Sequence, residues 1–442
     1  MKIQLSDHFT YRKLLRFTLP SVVMMIFTSV YGVVDGLFVS NYVGKIPFSA
    51  VNFIMPFLMI LSSVGFMFGT GGSALISKTM GEGDYEKANR LFSLFVYVSA
   101  ACGVVIAVLG YIFVGNVASL LGAKGDMLTN SIIYGRAILL ALPFNVLQME
   151  FQSFFITAEK PQLGLTVTVF SGVTNMVLDW LFVAVFHWGL VGAAGATAFS
   201  QFIGGAVPLL YFCRKNTSLL KLTGTVFNGR ALLKACTNGS SELLSNISMS
   251  LVSMLYNVQL MKYAGEDGVA SYGVLMYVNF VFLAIFIGYS IGTAPVVGYH
   301  YGAGNHVELK SLLKKSLSLI AIFSVCMLGL SEILGGTLSE VFVGYDANLL
   351  ELTQNGFAIY SFSFLFAGVA VYGSSFFTAL NNGPVSALIS FLRTLVFQVA
   401  AVLILPIFFD INGIWASIVV AELMAFIVTI LLLVRKRKQY RY

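Results

Sequence analysis

The chain has 442 residues, of which 58% are hydrophobic and 10% charged, against roughly 25% charged in soluble domains. A water-soluble core has no use for that much apolar surface, and runs of about twenty apolar residues recur along the whole length, the pattern of bundled membrane helices. The net charge of +7 does not point to nucleic acid, because the basic residues lie where membrane topology puts them.

Arg12, Lys13 and Arg16 lead into the first apolar run. That run is longer than a signal-peptide core and no cleavage motif follows it, so the first helix is expected to be retained. About twelve spans are expected, over 14–41, 48–76, 91–114, 131–158, 163–186 and 190–212, then 235–262, 270–297, 316–340, 352–380, 385–408 and 413–434. The expected fold class is an all-α integral membrane protein of two six-helix lobes related by a pseudo-two-fold axis along the membrane normal. Residues 1–212 would form the N-terminal lobe, 213–234 a basic cytoplasmic linker, and 235–442 the C-terminal lobe with a basic tail.

With the N-terminus in the cytoplasm, only Lys45, Lys124 and Lys262 fall on the outer side, and Arg136 and Arg393 within spans. Every other Lys and Arg is then cytoplasmic, which supports cytoplasmic N- and C-termini in a multi-pass protein of the cell membrane. The four cysteines stand apart with no CxxC pair, which argues against disulfides and zinc. The histidines fall at segment ends or loops.

The sequence nearly repeats itself at an offset of about 221, half its length. GFMFGTGGSALIS (65–77) resembles GYSIGTAPVVGYH (288–300), both with GxxxGT, and GEGDYEKA (81–88) meets GAGNHVEL (302–309). SFFITAEKPQ (153–162) meets SFFTALNNGPV (375–385), and VGAAGATAFSQ (191–201) meets NGIWASIVVAE (412–422), pairing Gln201 with Glu422. Six helices per half is an even number, so both halves insert the same way and are related by an axis along the membrane normal.

Six acids fall within spans: Asp35, Glu150, Asp179, Glu242, Glu332 and Glu422. A charge near the bilayer centre costs roughly 2.5–3.5 kcal/mol on insertion scales, so each asks for a reason. Asp35 lies about 7 residues from the outer end of the first helix, roughly 10 Å below the surface at 1.5 Å per residue. Asp179 in the fifth helix and Thr197 in the sixth fall at a matching depth. Asn175, four residues before Asp179, shares its face, as Tyr31 and Thr28 share that of Asp35. Together these groups could hold a proton or a cation. Tyr31, Thr28, Gln201, Asn257, Gln398 and Glu422 are expected to line a cavity. Glu242, Glu150 and Arg393 lie nearer the cytoplasmic side, where a structural ion pair explains them equally well. No GxxxxGK[ST], HExxH or GxSxG occurs, so no ATP loop, hydrolase motif, cofactor or structural metal is expected; uphill transport would draw on an ion gradient.

These features resemble the multidrug and toxic compound extrusion (MATE) family of secondary transporters over nearly the whole chain. The resemblance rests on TLPSVVMMIFTSVYGVVDGLFVSNYVG (18–44), GTGGSALISKTMGEGDYEKA (69–88) and GTAPVVGYHYGAGN (292–305). It implies two lobes around a cleft that opens alternately to each side, and export of amphipathic, often cationic compounds in exchange for inward H⁺ or Na⁺. In the DinF-like branch, the coupling site uses an Asp of helix one, an Asn and an Asp four apart in helix five, and a Thr of helix six. These match Asp35, Asn175, Asp179 and Thr197. The NorM-like branch places acids in mid helix seven and in helix ten. Here helix seven reads SNISMSLV (245–252) and helix ten has no internal acid, so a C-lobe sodium site is not expected. The expected partners are small-molecule drugs or toxic metabolites, H⁺ or Na⁺ and the bilayer, with the chain a monomer and not an enzyme. The rival readings are a lipid-linked oligosaccharide flippase, which would present more cations to its cleft, and an uncoupled channel or scaffold, which has no need of paired acids.

Overall fold

The computed structural model describes residues 3–442, and every regular element among them is helical. The first six helices are α1 (Tyr11–Phe38), α2 (Lys45–Gly81), α3 (Tyr85–Leu120), α4 (Gly125–Thr157), α5 (Pro161–Val185) and α6 (Gly189–Cys213). A single run of 74 residues follows, Gly229–Gly302. At 1.5 Å per residue it would be about 110 Å long, far beyond a hydrocarbon core of roughly 30 Å. Gly265 breaks it with φ 63° and ψ −149°, giving α7 (229–264) and α8 (266–302). Then come α9 (His306–Val343), α10 (Ala347–Ala379), α11 (Gly383–Ile404) and α12 (Pro406–Tyr440). These are the twelve expected spans. Several reach well past their apolar runs because polar caps start them early. The Asp84 side chain accepts the Lys87 N–H at 2.9 Å to open α3, and Asn305 accepts the Glu308 N–H at 3.1 Å to open α9.

Backbone geometry carries the repeat further than residue identity does. Positive φ occurs at Gly44 and Gly265, at Gly83 and Gly304, at Glu159 and Asn381, and at His187 and Asp410. Each pair is 221 to 223 residues apart, so α1–α6 and α7–α12 turn at the same places. The lobes also meet reciprocally. A Cβ on Gly81 would run into the Tyr299 carbonyl, and a Cβ on Gly302 would run into the Lys78 carbonyl. Positions and their counterparts trade roles, as a two-fold axis requires. The two GxxxG motifs break that symmetry. Gly65 and Gly69 lie against Val146 and Glu150 of α4, within their own lobe, whereas Gly288 and Gly292 lie against Val22 and Thr18 of α1, across the lobe boundary.

Among the described residues, the close interlobe contacts lie toward the end that carries most of the basic residues. Along α1 and α8 it runs from Thr18 with Gly292, through Val22 with Gly288, to Ser29, whose hydroxyl donates to the Phe280 carbonyl at 3.4 Å. Beyond that point the same two helices present Gly32 and Gly273 to open space. On α2, Gly71 and Met67 touch Ala235 and Gly239 of α7, in the same half of the bundle. The lobes therefore form a V, joined at the basic end and open at the other.

The connection between the lobes is shorter than the expected 213–234. Helix α6 ends at Cys213 and helix resumes at Gly229, because the Asn228 side chain accepts the Ala231 N–H at 3.1 Å and so starts α7 early. The segment between is fastened to the basic end of α3. Asn89 accepts the Lys221 N–H at 2.6 Å, Ser93 accepts the Thr223 N–H at 2.8 Å, and Thr225 donates to the Arg90 carbonyl at 2.8 Å.

Candidate functional site

In the open half of the N-terminal lobe, α5 turns one polar face inward. Ser171, Asn175 and Asp179 recur every four residues and are buried, Asp179 completely. Gly172 on the same helix lets α1 come close, since a Cβ there would meet the rings of Phe27 and Tyr31. That approach brings Asp35 of α1, also buried, opposite Asp179. The two carboxyls face each other.

A chain of donors reaches one of them. Asn175 Nδ2 donates to Thr197 Oγ1 at 3.4 Å, and Thr197 Oγ1 donates to Asp35 Oδ1 at 3.3 Å. Thr197 is fixed on α6 by its own turn, where the Ser200 hydroxyl donates to its carbonyl, and Ser171 ties α5 to α6 through the Ser200 carbonyl at 2.6 Å. The other side of the cluster is starved of donors. Neither oxygen of Asp179 and not the amide oxygen of Asn175 has a hydrogen-bond partner among the described residues. Buried acceptors are normally satisfied, and a buried carboxylate without a partner is costly. The arrangement therefore has the chemistry of a socket for a positive charge, a proton shared by the two carboxyls or a small cation on the free oxygens. Both acids sit where regular helix gives way. A π-helical turn begins at Trp180, directly after Asp179, and another spans Val39–Val43, one turn beyond Asp35; such turns recur at functional positions in helices.

Asp35, Asn175, Asp179 and Thr197 are thus brought together. Tyr31 lies beside Asp35. Tyr134 of α4, which nothing in the sequence singles out, stands next to Thr197 and both acids, its hydroxyl buried with no hydrogen-bond partner among the described residues. The residues expected to line a cavity fare unevenly. Thr28 turns its hydroxyl back to the Met24 carbonyl at 2.9 Å. Gln201 lies one turn below Thr197 with its amide oxygen buried and without a hydrogen-bond partner among the described residues. Asn257 is exposed. Gln398 is buried in the C-terminal lobe, where it accepts from the Tyr256 hydroxyl at 2.9 Å, and Tyr256 stacks on Tyr272. Glu422 is not free to line a cleft. Arg393 grips both its oxygens, at 3.0 and 2.8 Å, and also faces Glu242. The repeat paired Glu422 with Gln201 by position, but its physical partner is an arginine that the N-terminal lobe does not have at the matching place.

The remaining span acids have quieter surroundings. Glu150 is fully buried and accepts from Ser99, and Glu332 is exposed and accepts from Ser361. Arg136 is exposed with its guanidinium 5.0 Å from the centre of the Tyr111 ring.

Comparison with known proteins agrees with this architecture. The MatE family model matches the chain twice, over residues 20–181 and 243–404, two blocks of equal length set 223 residues apart. A multidrug export protein MepA from Staphylococcus haemolyticus is 28% identical over 368 residues, spanning 81% of this chain and 80% of the relative. Its namesake from Staphylococcus saprophyticus is 25% identical over 427 residues, spanning 93% and 91%. Among solved structures, an outward-facing multidrug resistance MATE transporter of the MOP superfamily superposes with a TM-score of 0.92 at 22% identity over 98% of this chain and 97% of that one. A MOP superfamily transporter from Pyrococcus furiosus, described as having a binding pocket of reversed polarity and a different function, reaches 0.91 at 21% identity over 98% of each chain. At such identities the superpositions speak to the fold alone. The doubled match, which covers most of the chain, settles the kinship: this protein belongs to the MatE family, a family of multidrug and toxic compound extrusion transporters rather than enzymes.

Proposed function

We propose that the chain is a secondary active multidrug efflux antiporter. It exports amphipathic, cationic compounds in exchange for inward protons by alternating access, with Asp35, Asn175, Asp179 and Thr197 as the DinF-like coupling site. The observation that carries this reading is the facing of Asp35 and Asp179 with no donor on the Asp179 oxygens. Two buried acceptors held together ask for one positive charge, and they share a lobe with the open cleft. The positive-inside rule puts the basic end in the cytoplasm, so the V opens outward and the pair loads from the outer medium. The relatives named for multidrug export support the substrate class. The protein then works as a monomer in the cell membrane with both termini cytoplasmic.

In this cycle the outward-open form takes up a proton between the two acids. The lost charge removes a solvation cost, α1 repacks around Pro20, and the cavity shrinks and releases drug outward. Once the basic end opens, the proton leaves to the cytoplasm and drug enters. The ion drives transport only through its different affinity for the two forms.

Efflux of a cationic dye from proteoliposomes tests the reading. Asp35→Asn and Asp179→Asn, at equal protein content, should each lose at least about tenfold of the rate, as expected of groups that act by carrying charge. Full-rate pumping by Asp35→Asn would defeat it. Collapsing ΔpH at constant Na⁺ should stop efflux in the wild type. Efflux that ignores ΔpH and follows a Na⁺ gradient would transfer the same oxygens to sodium.

A further inference from the structure

At the basic end, away from the coupling acids, a cavity of about 350 Å³ lies between the lobes. Its walls carry Lys78 and Lys87 from α2 and α3, and Arg230 and Lys234 from α7, against a single carboxylate, Glu82. Glu82 is 3.5 Å from Lys78. Among the described residues no carboxylate lies within ion-pair distance of Lys87, Arg230 or Lys234. The start of α7, at Asn228 and Arg230, opens onto the same space, and a helix N-terminus adds further positive potential. Two of the cations are held in place. Lys234 Nζ donates to the Asn381 carbonyl at 2.7 Å, and Asn381 is pinned in turn by Asn238 at 2.7 Å and by the Ala74 carbonyl at 3.0 Å. The Lys78 ammonium sits 5.7 Å from the centre of the Tyr301 ring.

A cleft with a surplus of three positive charges, its four cations exposed (Lys87, Arg230) or half-buried (Lys78, Lys234), suits an anion. The geometry points to a site for a phosphate group, the headgroup of an anionic phospholipid or free inorganic phosphate, clamped between the two lobes. Basic pockets between spanning helices at the cytoplasmic face commonly hold such groups. The ligand touches Lys78 and Lys87 on one lobe and Arg230 and Lys234 on the other, so it belongs to the form in which the basic ends are joined. In this form the site lies at the closed end of the molecule, opposite the mouth of the outward-open cleft.

Native mass spectrometry and thermal unfolding of the full chain test this with two probes. One is phosphatidylglycerol doped into phosphatidylcholine nanodiscs; the other is inorganic phosphate added to pure phosphatidylcholine nanodiscs. At about fivefold per cation near an anionic group, Lys87→Gln/Arg230→Gln should weaken binding about thirtyfold. Glu82→Gln, which removes the competing carboxylate, should strengthen it. Lys438→Gln, exposed in the C-terminal turn of α12, should change nothing. Retention of one phosphatidylglycerol by the wild type and its loss from the double variant assigns the headgroup. A phosphate-dependent rise in unfolding temperature confined to the wild type assigns the free anion. Equal behaviour of wild type and double variant with both probes, or no tightening by Glu82→Gln, overturns the site, and the second criterion holds even if the double variant fails to fold.

Discussion

Substituting Ala at Gly81 or Gly302 tests whether the basic-end contact sets the conformational balance. A Cβ on Gly81 would sit 2.0 Å from the Tyr299 carbonyl oxygen, and one on Gly302 2.0 Å from that of Lys78, where real Cβ atoms keep at least 3.0 Å. The obstructing atoms are backbone, so no side chain can swing away and the helices must part by about an ångström. Overpacking of this kind costs about 1–3 kcal/mol. The cost falls only on the form in which these helices touch, so it shifts the balance toward opening at this end by about 5- to 150-fold. The two contacts are halves of one symmetric patch, so the double variant should shift by less than the product of the single ones. Spin labels at Glu86→Cys and Lys310→Cys, in a background with the four native cysteines replaced, report the separation directly, because both positions are exposed and lie at the basic ends of opposite lobes. The double variant should populate a longer distance that is minor in the parent. An unchanged distance distribution in a variant of unchanged unfolding temperature would refute the reasoning.

Gly172→Val should push the Phe27 and Tyr31 rings off α5, separate Asp35 from Asp179, and cut dye efflux while protein yield holds. Breaking the buried pair with Arg393→Met alone should cost about 3–5 kcal/mol, and the double change Arg393→Met/Glu422→Leu should recover most of it; unfolding temperatures in detergent check both. Asn381→Ala should destabilise by about 1–3 kcal/mol, more than Asn238→Ala, because it loses two side-chain bonds to Asn238 and Ala74 and keeps a strained φ of 58°; denaturant melts of the three proteins compare them.

Depth counting along apolar runs placed Asp35, Asn175, Asp179 and Thr197 on one level, because a spanning helix converts residue number into height almost linearly. Tyr134 obeys the same arithmetic, but tyrosine is too common in apolar helices to attract notice without its neighbours. The pairing of Glu422 with Arg393 was hidden for a different reason. The residues lie 29 apart on adjacent helices, and their meeting depends on how α11 and α12 are rotated, which a repeat alignment does not specify. The internal duplication was legible through its glycines, yet Glu159, Asn381, His187 and Asp410 share positive φ without sharing a residue type, so that part was visible only in backbone angles. The early start of α7 rests on a single asparagine cap inside a stretch whose composition reads as linker.

The exchange of contacts between 78–81 and 299–302 also bears on how such a chain can be assembled. A patch that fits its own rotated copy requires no covalent joint to find its mate. Two identical six-helix proteins would dock through it as a homodimer, and the stretch that now joins them serves to keep the two halves in equal number and to let each accumulate its own residues, facing acids in one and an arginine clasp in the other.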